Sequence, residues 1–313
     1  MYQEIIPWIK GTPLGIKIRS VDFVPPHIHK DIIEIIFCLK GSVQFDYSYE
    51  VFTLNEGEFI SVDKDAHYLY AGSDDICVSF YIDLKKYEKK YPYVTGMLFV
   101  CEAVATSTAP HTKAQDELRG ILVSLLFYLG NHSDDDHQEV IKTINKSVDR
   151  MIKLFIEKFD ISYYWRPELD RRPEVMKRSR LIMDYIEKNC TEKLTINDIA
   201  NKFNITPSYV SEFLSSVGVG FREGLGYFRA NKSEEFLLYT DLNIAEISQI
   251  CGFSDSKYYY DKFKKWYKCT PREFRKNYKT KMNRPCKETN LDIEDTYQYL
   301  DGIMLKHYLK MFL

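Results

Sequence analysis

Two hydrophobic periods divide the chain. Between residues 16 and 84 the apolar positions come in short runs. Ile16-Lys17-Ile18-Arg19-Ser20-Val21 alternates apolar with polar, Ile32–Leu39 is a β-branched run, and Val43–Tyr49 alternates again. Phe52-Thr53-Leu54, Phe59–Val62 and Ile76–Ile82 complete the series. Turn signals stand between them at Lys40-Gly41-Ser42, Asn55–Glu58, Asp63–Ala66 and Gly72–Asp75. Short strands punctuated this often predict a β-sandwich or small barrel.

From about Gln115 the period lengthens. Leu118, Ile121, Leu122, Leu125 and Leu126 share one helical face. The polar stretch Asn131–His137 interrupts, and Val140, Ile141, Ile144, Val148, Met151, Ile152 and Phe155 mark a second helix. The two carry more apolar surface than one thin layer needs, so they cover the strands, pair between subunits, or do both. Residues 160–178 hold two prolines and five basic residues and read as a linker. Beyond it the chain is helical to about Lys279. A last stripe of Ile293, Tyr297, Leu300, Ile303, Met304, His307, Tyr308 and Met311 predicts one more helix. Such a stripe needs a covering surface: the preceding helices in cis, which it would pack on or mask, or another subunit.

The helical region repeats itself. Leu194-Thr-Ile-Asn-Asp-Ile-Ala-Asn-Lys-Phe-Asn-Ile-Thr and Leu242-Asn-Ile-Ala-Glu-Ile-Ser-Gln-Ile-Cys-Gly-Phe-Ser run in register 48 residues apart. Thr195 with Asp198, and Asn243 with Glu246, have the spacing of a capping box. Ala200 and Ser248 are small where another helix must approach. Asn204 and Gly252 suit a tight turn, Ile205 and Phe253 an apolar plug, and Thr206 and Ser254 a fresh helix cap. Short helix, turn, plug, cap and longer helix is the order of a helix-turn-helix.

In the second copy, Ile244-Ala-Glu-Ile, Gly252-Phe-Ser-Asp, Tyr258-Tyr259, Phe263-Lys264-Lys265 and Thr270-Pro-Arg-Glu-Phe-Arg-Lys276 resemble the AraC/XylS family of bacterial regulators. The resemblance spans residues 178 to 279. It implies two helix-turn-helix units joined by a helix over Phe221–Leu238 that includes Arg229, each unit laying one helix in a major groove. Where that family commonly places arginine along the reading helices, this chain has Glu212 and Asp261, and Ser215 replaces a lysine. The carboxylates either accept from cytosine N4 or serve as caps and local ion pairs. Between Lys257 and Lys281 ten basic residues face two acidic ones, whereas Leu181–Asp255 is net acidic. Phosphate binding is therefore expected mainly from the second unit. Expected DNA-contacting residues are Ser208, Ser211, Glu212, Ser256, Lys257, Tyr260, Asp261, Lys264 and Lys265, with Pro207 and Asp255 beside them, while Tyr259, Phe263 and Trp266 fall on the core stripe.

Near the N-terminus, His27-Ile-His29, Glu34, Lys40-Gly41, Glu56-Gly-Glu58 and His67 resemble a cupin barrel, although Asp63 stands where a proline is common. The resemblance implies that His27, His29, Glu34 and His67 converge inside the barrel. His27 and His29, two apart on a strand, point the same way. Imidazole and carboxylate suit Mn, Fe, Zn or Ni. The expectation is nonetheless a metal-free, cofactor-free pocket for a small molecule, with sugars among the classes the resemblance implies, and with Tyr68 and Tyr70 as stacking partners. Phe37, Phe45 and Phe80 are read as core, and His111, His132 and His137 as surface.

Composition changes this picture little. Net charge is −2, so charge matters only by segment. None of the seven cysteines forms a CxxC, which argues against a disulfide framework or zinc knuckle and for a reducing compartment. The start lacks an apolar signal-peptide core, and the longest apolar stretch, near Ile121–Leu129, is about half of a membrane span. The expected protein is α+β: a cupin-like β-barrel over residues 1–90, a helical and dimerising region over 91–160, a linker over 161–178, an all-α double helix-turn-helix over 179–280, and a helical extension over 281–313. Its expected role is a cytoplasmic, ligand-responsive, homodimeric regulator of promoter DNA that could touch RNA polymerase. It is not expected to be an enzyme, since no separate acid/base pair is evident beside the cupin residues. The competing reading is a protein-binding adaptor that modulates another regulator without reading DNA.

Overall fold

A computed structural model of the chain describes residues 4–47, 50–72, 74–104, 112–132, 137–160, 172–216 and 220–312. The chain forms two compact units. One comprises residues 2–86, 99–159 and 284–313; the other comprises Tyr87–Leu98 and Asp160–Asn283, together with Met1.

The first unit is built on nine strands: β1 (Leu14–His27), β2 (Ile32–Lys40), β3 (Ser42–Tyr47), β4 (Glu50–Asn55), β5 (Phe59–Val62), β6 (His67–Ala71), β7 (Ile76–Asp83), β8 (Glu102–Ala103) and β9 (Lys287–Asn290). They form one curled antiparallel sheet in the order β4-β3-β6-β1-β7-β2-β5-β8, with β9 added to β1. The cupin-like barrel is thus open, because β4 and β8 end the hydrogen-bonded path. The reversals that the sequence marked at Gly41 and Gly57 take positive φ of 74° and 81°, a region glycine enters without penalty. β2 and β7 are buried along almost their whole length, as expected of strands covered on both faces. Val21, Ile36, Cys38, Phe45, Leu54, Leu69 and Cys77 form one core, and Phe37 and Phe80 are also fully buried.

Two helices follow, α1 (Lys113–Asn131) and α2 (His137–Lys158). α1 starts two residues before the expected Gln115 because Thr112 caps it: Gln115 N donates to Thr112 Oγ1, and Thr112 N donates to Gln115 Oε1 at 2.7 Å. The apolar stripes of both helices are buried within this unit except for the half-buried Val140 and Ile141, with Phe155 packed edge-on against Phe99 at 5.4 Å. The same unit receives the chain's later residues. β9 pairs with Arg19–Phe23 of β1, and the helix that follows β9 (Ile293–Phe312) packs on α1, where Tyr297 lies 5.1 Å from Phe127 and Leu300 is fully buried. The covering surface for the last stripe is therefore α1. The side chains of Met304, His307, Tyr308 and Met311 lie outside the described residues, as does His111.

The second unit holds α3 (Pro173–Lys188), α4 (Ile196–Phe203), α5 (Pro207–Ser216), α6 (Phe221–Tyr239), α7 (Ile244–Ile250), α8 (Ser256–Tyr267) and α9 (Pro271–Met282); the helix after β9 is α10. Part of the expected linker is helix: α3 begins at Pro173, whose ring is tolerated at a first helical position. Residues 161–171 lie outside the described residues. Residues 87–98, assigned from the sequence partly to the barrel and partly to the helical region, belong with α3–α9, and residues 99–104 return to the sheet as β8.

Candidate nucleic-acid interface and sensor centre

In the helical unit the repeat becomes two superposable grammars. Thr195 caps α4 in a capping box with Asp198, and Asn243 caps α7 in one with Glu246. Asn204 then turns at φ 52° and Gly252 at φ 81°. At Gly252 a side chain would be doubly excluded, because a Cβ there would stand 2.5 Å from the Thr191 carbonyl oxygen. Ala200 and Ser248 are buried at the crossings. Tyr209 N donates to Thr206, which opens α5. α8 is capped by Asp255, which accepts from Tyr258 N at 2.8 Å, while Ser254 only hydrogen-bonds Asp255. Asp255 is thereby committed to the backbone, and the expectation of Ser254 as cap is corrected by one residue.

α6 connects the two helix-turn-helix copies over Phe221–Tyr239, one residue beyond the sequence estimate. Arg229 on it is buried and donates from Nε to the Cys190 carbonyl at 2.6 Å and from Nη2 to the Glu192 carbonyl at 2.9 Å. It thus ties down the turn between α3 and α4 through two of its backbone carbonyls. Tyr259 and Phe263 are fully buried, and Phe274 of α9 sits edge-on to both Phe263 and Tyr267 of α8, at 5.5 and 5.7 Å, which locks the two helices together.

The opposite faces of α5 and α8 are open. Ser208, Ser211 and Glu212 are exposed on α5, and Lys257, Asp261 and Lys264 on α8, with Ser256 and Tyr260 half-buried beside them. Lys265 differs from the expectation of a free phosphate contact. Its Nζ lies 2.5 Å from Glu223 Oε2, and Lys262 Nζ lies 2.5 Å from Glu223 Oε1. One carboxylate on α6 thus holds two ammonium groups of α8 as a phosphate would.

The sheet unit contains a buried charged centre. His27 ends β1, His29 follows it, Glu34 lies on β2 and His67 opens β6. Glu34 Oε2 is 2.9 Å from His67 Nε2, 3.0 Å from His29 Nε2 and 3.7 Å from His27 Nε2. Two further carboxylates carry no motif. Glu4 arrives from the N-terminal segment, with Oε2 3.1 Å from His27 Nε2. Glu288 arrives on β9 and accepts from Arg19 Nη1 at 2.9 Å and from Lys17 Nζ at 2.5 Å. Arg19 is fully buried; it also bonds Glu4 and Ser79 and lies 3.6 Å from Glu34 Oε1.

Burial disfavours every charge here, and the network decides which survive. For His27, hydrogen bonds to Glu34 and Glu4 overcome burial and raise its pKa to about 10. For His67, burial and the nearby His27 charge prevail and lower it to about 4. Burial works against the Glu34 carboxylate, but its three histidine partners hold its pKa well below the usual range. Asp63 shows the converse: burial and Asp65 push it up to about 7.

His67 Nδ1 lies 3.2 Å from the Asp65 carbonyl oxygen and His27 Nδ1 lies 2.8 Å from that of Pro25. A carbonyl only accepts, so each Nδ1 carries the proton and each Nε2 faces the centre. His67 Nε2 stands 2.9 Å from Glu34 Oε2, a pair that a proton on Nε2 or a cation between them would bridge. The donor atoms of His27, His29, Glu34 and His67 lie within 4.8 Å of one another. This set fits a divalent transition ion.

Tyr68 and Tyr70 are not brought to the centre. They follow His67 on alternate positions, so Tyr68 faces away from it; its hydroxyl donates to Asp46 and its ring lies 6.2 Å from that of Tyr70, roughly parallel to it. His132 hydrogen-bonds the Tyr128 carbonyl at the end of α1, and His137 is exposed. No helix among the described residues is long and apolar enough to cross a membrane.

Residues 199–277 match the family model described as a helix-turn-helix domain. An uncharacterized HTH-type transcriptional regulator, YijO, of Escherichia coli K12 is 33% identical over 102 residues, 32% of this chain and 36% of its own length. The urease operon transcriptional activator of E. coli is 28% identical over 143 residues, 46% of each chain, and the Msm operon regulatory protein of Streptococcus mutans is 30% identical over 128 residues, 41% of this chain and 45% of its own. The chain therefore spans less than half the length of these relatives. Among solved structures, the C-terminal domain of the response regulator yesN from Fusobacterium nucleatum is 33% identical, covering 31% of this chain and 97% of that one at a TM-score of 0.29. ToxT from Vibrio cholerae is 14% identical, covering 84% and 97% at 0.40.

Proposed function

With a double helix-turn-helix of the AraC/XylS type as its C-terminal reader, we propose that this chain is a ligand-responsive transcriptional regulator that binds promoter DNA. The carrying observation is the pair of capped, open helices α5 and α8 set on the buried spine of α6, within the segment that matches the helix-turn-helix family. α8 and α9 carry the excess positive charge that attracts phosphate. The small-molecule effector is assigned to the centre of His27, His29, Glu34 and His67, without Tyr68 or Tyr70. A homodimer, a contact with RNA polymerase and a cytoplasmic site belong to the same reading. Since the apolar stripes of α1 and α2 are already largely buried, a subunit contact through α2 would use its charged outer face, including Lys142, Lys146 and Lys153.

In vitro selection of full-length protein against random duplex DNA tests the reader. The expected outcome is a bipartite site with halves about one helical turn apart; enrichment of no sequence at low or high salt would favour the adaptor. On the selected site, Lys257→Ala and Lys264→Ala are each expected to weaken binding and to lower the salt slope by about one. Glu223→Gln is expected to act in the opposite direction. It frees Lys262 and Lys265 for phosphate, so affinity and salt slope both rise. An unchanged salt slope in Glu223→Gln would show that these lysines do not face the duplex.

A further inference from the structure

The strand that follows the DNA-reading helices contributes a charge to the sensor centre. Only residues 283–286 separate α9 from β9. β9 is four residues long, and Lys287, Thr289 and Asn290 on it are exposed. Nothing apolar on β9 itself holds it down, and its pairing with β1 shifts register between Val21 and Phe23. A cavity of about 620 Å³ runs along this seam, lined in part by Ile5, Ile16, Lys17, Glu288 and Leu291. Lys287 and Arg284 reach Asp22 only at 3.6 Å, as largely exposed pairs, which contribute little. Arg284 also lies 4.2 Å from the centre of the Phe23 ring. Glu288 is the anchor of different quality: it is mostly buried and bonded to both Lys17 and Arg19.

Arg19 is the junction. It serves Glu288 and Glu4 and also approaches Glu34, and Glu34 is the carboxylate shared by the three histidines. An unbroken series, Glu288–Arg19–Glu34–His67, therefore joins β9 to the centre. A cation seated among the histidines would draw Glu34 toward itself and away from Arg19. Arg19 would then rest more fully on Glu288, and β9 would dock more tightly.

We propose that β9 is an output strand of the sensor: Glu288 is a positioning residue that couples occupancy of the histidine centre to the docking of the segment directly following the DNA-reading helices. The coupling is reciprocal, so docked β9 also favours the cation by neutralising Arg19 beside it. This inference rests on the centre being the sensing site, but not on DNA binding.

Hydrogen exchange over residues 287–291 of the full chain, without DNA and with zinc as the probe, tests it. Zinc is expected to slow β9 exchange about tenfold, a typical coupling between two sites. Glu288→Gln should exchange faster than the parent chain, lose the zinc response and bind zinc more weakly. Lys287→Gln, altered at an exposed neighbour, should behave as the parent. Equal β9 exchange in the parent and Glu288→Gln overturns the proposal, as does bound zinc that leaves β9 unchanged. If metal analysis finds no zinc bound, the cation reading of the centre fails, and His29→Gln at its rim takes over as the perturbation. Glu34 then leans harder on Arg19 and β9 exchange should accelerate; an unaltered rate overturns the coupling itself. A chain that binds no DNA leaves all these readouts intact.

Discussion

Replacing Arg19 by methionine should cost about 3–5 kcal/mol of stability, the usual penalty for removing one partner of a buried ion pair. The guanidinium is fully buried and stands against Glu4, Glu34 and Glu288. Methionine fills much of the volume but leaves three carboxylates without their central cation. The loss arises from those uncompensated charges, so it should shrink when one of them is neutralised: Arg19→Met with Glu288→Gln should be less unstable than the sum of the single changes. Urea melts of the four proteins measure this cycle. Glu117→Gln serves as a scale, since it breaks an exposed pair with Arg150 at 3.1 Å and should cost at most about 1 kcal/mol. An Arg19→Met protein within about 1 kcal/mol of the parent would mean that water or protonation already relieves the cluster, contrary to the usual cost of such a deletion.

The second large effect is on pH. In chelator-treated protein, the sheet unit should be most stable at mildly acidic pH and should weaken steadily toward alkaline pH. His27 has its pKa raised to about 10 against an ordinary 6.5, so its stabilisation is complete below 6.5 and is lost as pH climbs through 10. One proton held only by the folded state gives a slope of up to about 1.4 kcal/mol per pH unit. His67, lowered to about 4, has the reverse sense: the folded state loses stability as pH falls from 6.5 through 4. Asp63, raised to about 7 from 3.8, favours the folded state most below 3.8 and loses that advantage as pH rises through 7, partly offsetting His67 in the overlap. Glu4 and Glu34, both lowered, add a steep acid limb below about the ordinary carboxylate pKa of 4.5. Thermal melts from pH 4 to 10 should therefore show a broad maximum between about 4.5 and 6.5, with the alkaline limb flattened in His27→Gln. A midpoint that stays constant from neutral pH to the alkaline end would show that His27 is not held as an imidazolium.

What the sequence disclosed follows from locality. The reader was legible because its signals are short-range: Thr195 with Asp198 and Asn243 with Glu246 are three residues apart, and the Asn204 and Gly252 turns need a left-handed residue where they stand. The histidine centre was legible from the cupin resemblance of His27, His29, Glu34 and His67, although His29 converges from the turn after β1 and not from a continuing strand. Strand alternation, applied to His67, would have turned Tyr68 outward. Glu4 and Glu288 were not legible. Each is a lone carboxylate in a segment without periodicity, and each matters only because distant strands place Arg19 beside it. β9 was missed for the same reason, since Lys-Glu-Thr-Asn has no apolar alternation and pairs through an edge that β1 leaves free. Glu223, remote in sequence from Lys262 and Lys265, altered the reading of Lys265 in the same way.

The pairing of β9 with β1 also sets an order of events during synthesis. Domains generally fold as units while the chain emerges, and strand pairing between distant segments is intrinsically slow. The helices of residues 160–283 lie in sequence between two parts of the sheet unit, and their contacts are local. They can be complete while β1 still waits for its partner and Arg19 and Lys17 still lack Glu288. A newly made chain would therefore pass through an interval with a complete helical unit and an incomplete sheet unit, which lasts until β9 (Lys287–Asn290) has emerged. Ribosome-bound chains arrested before and after that stretch would differ in the sheet unit and agree in the helices.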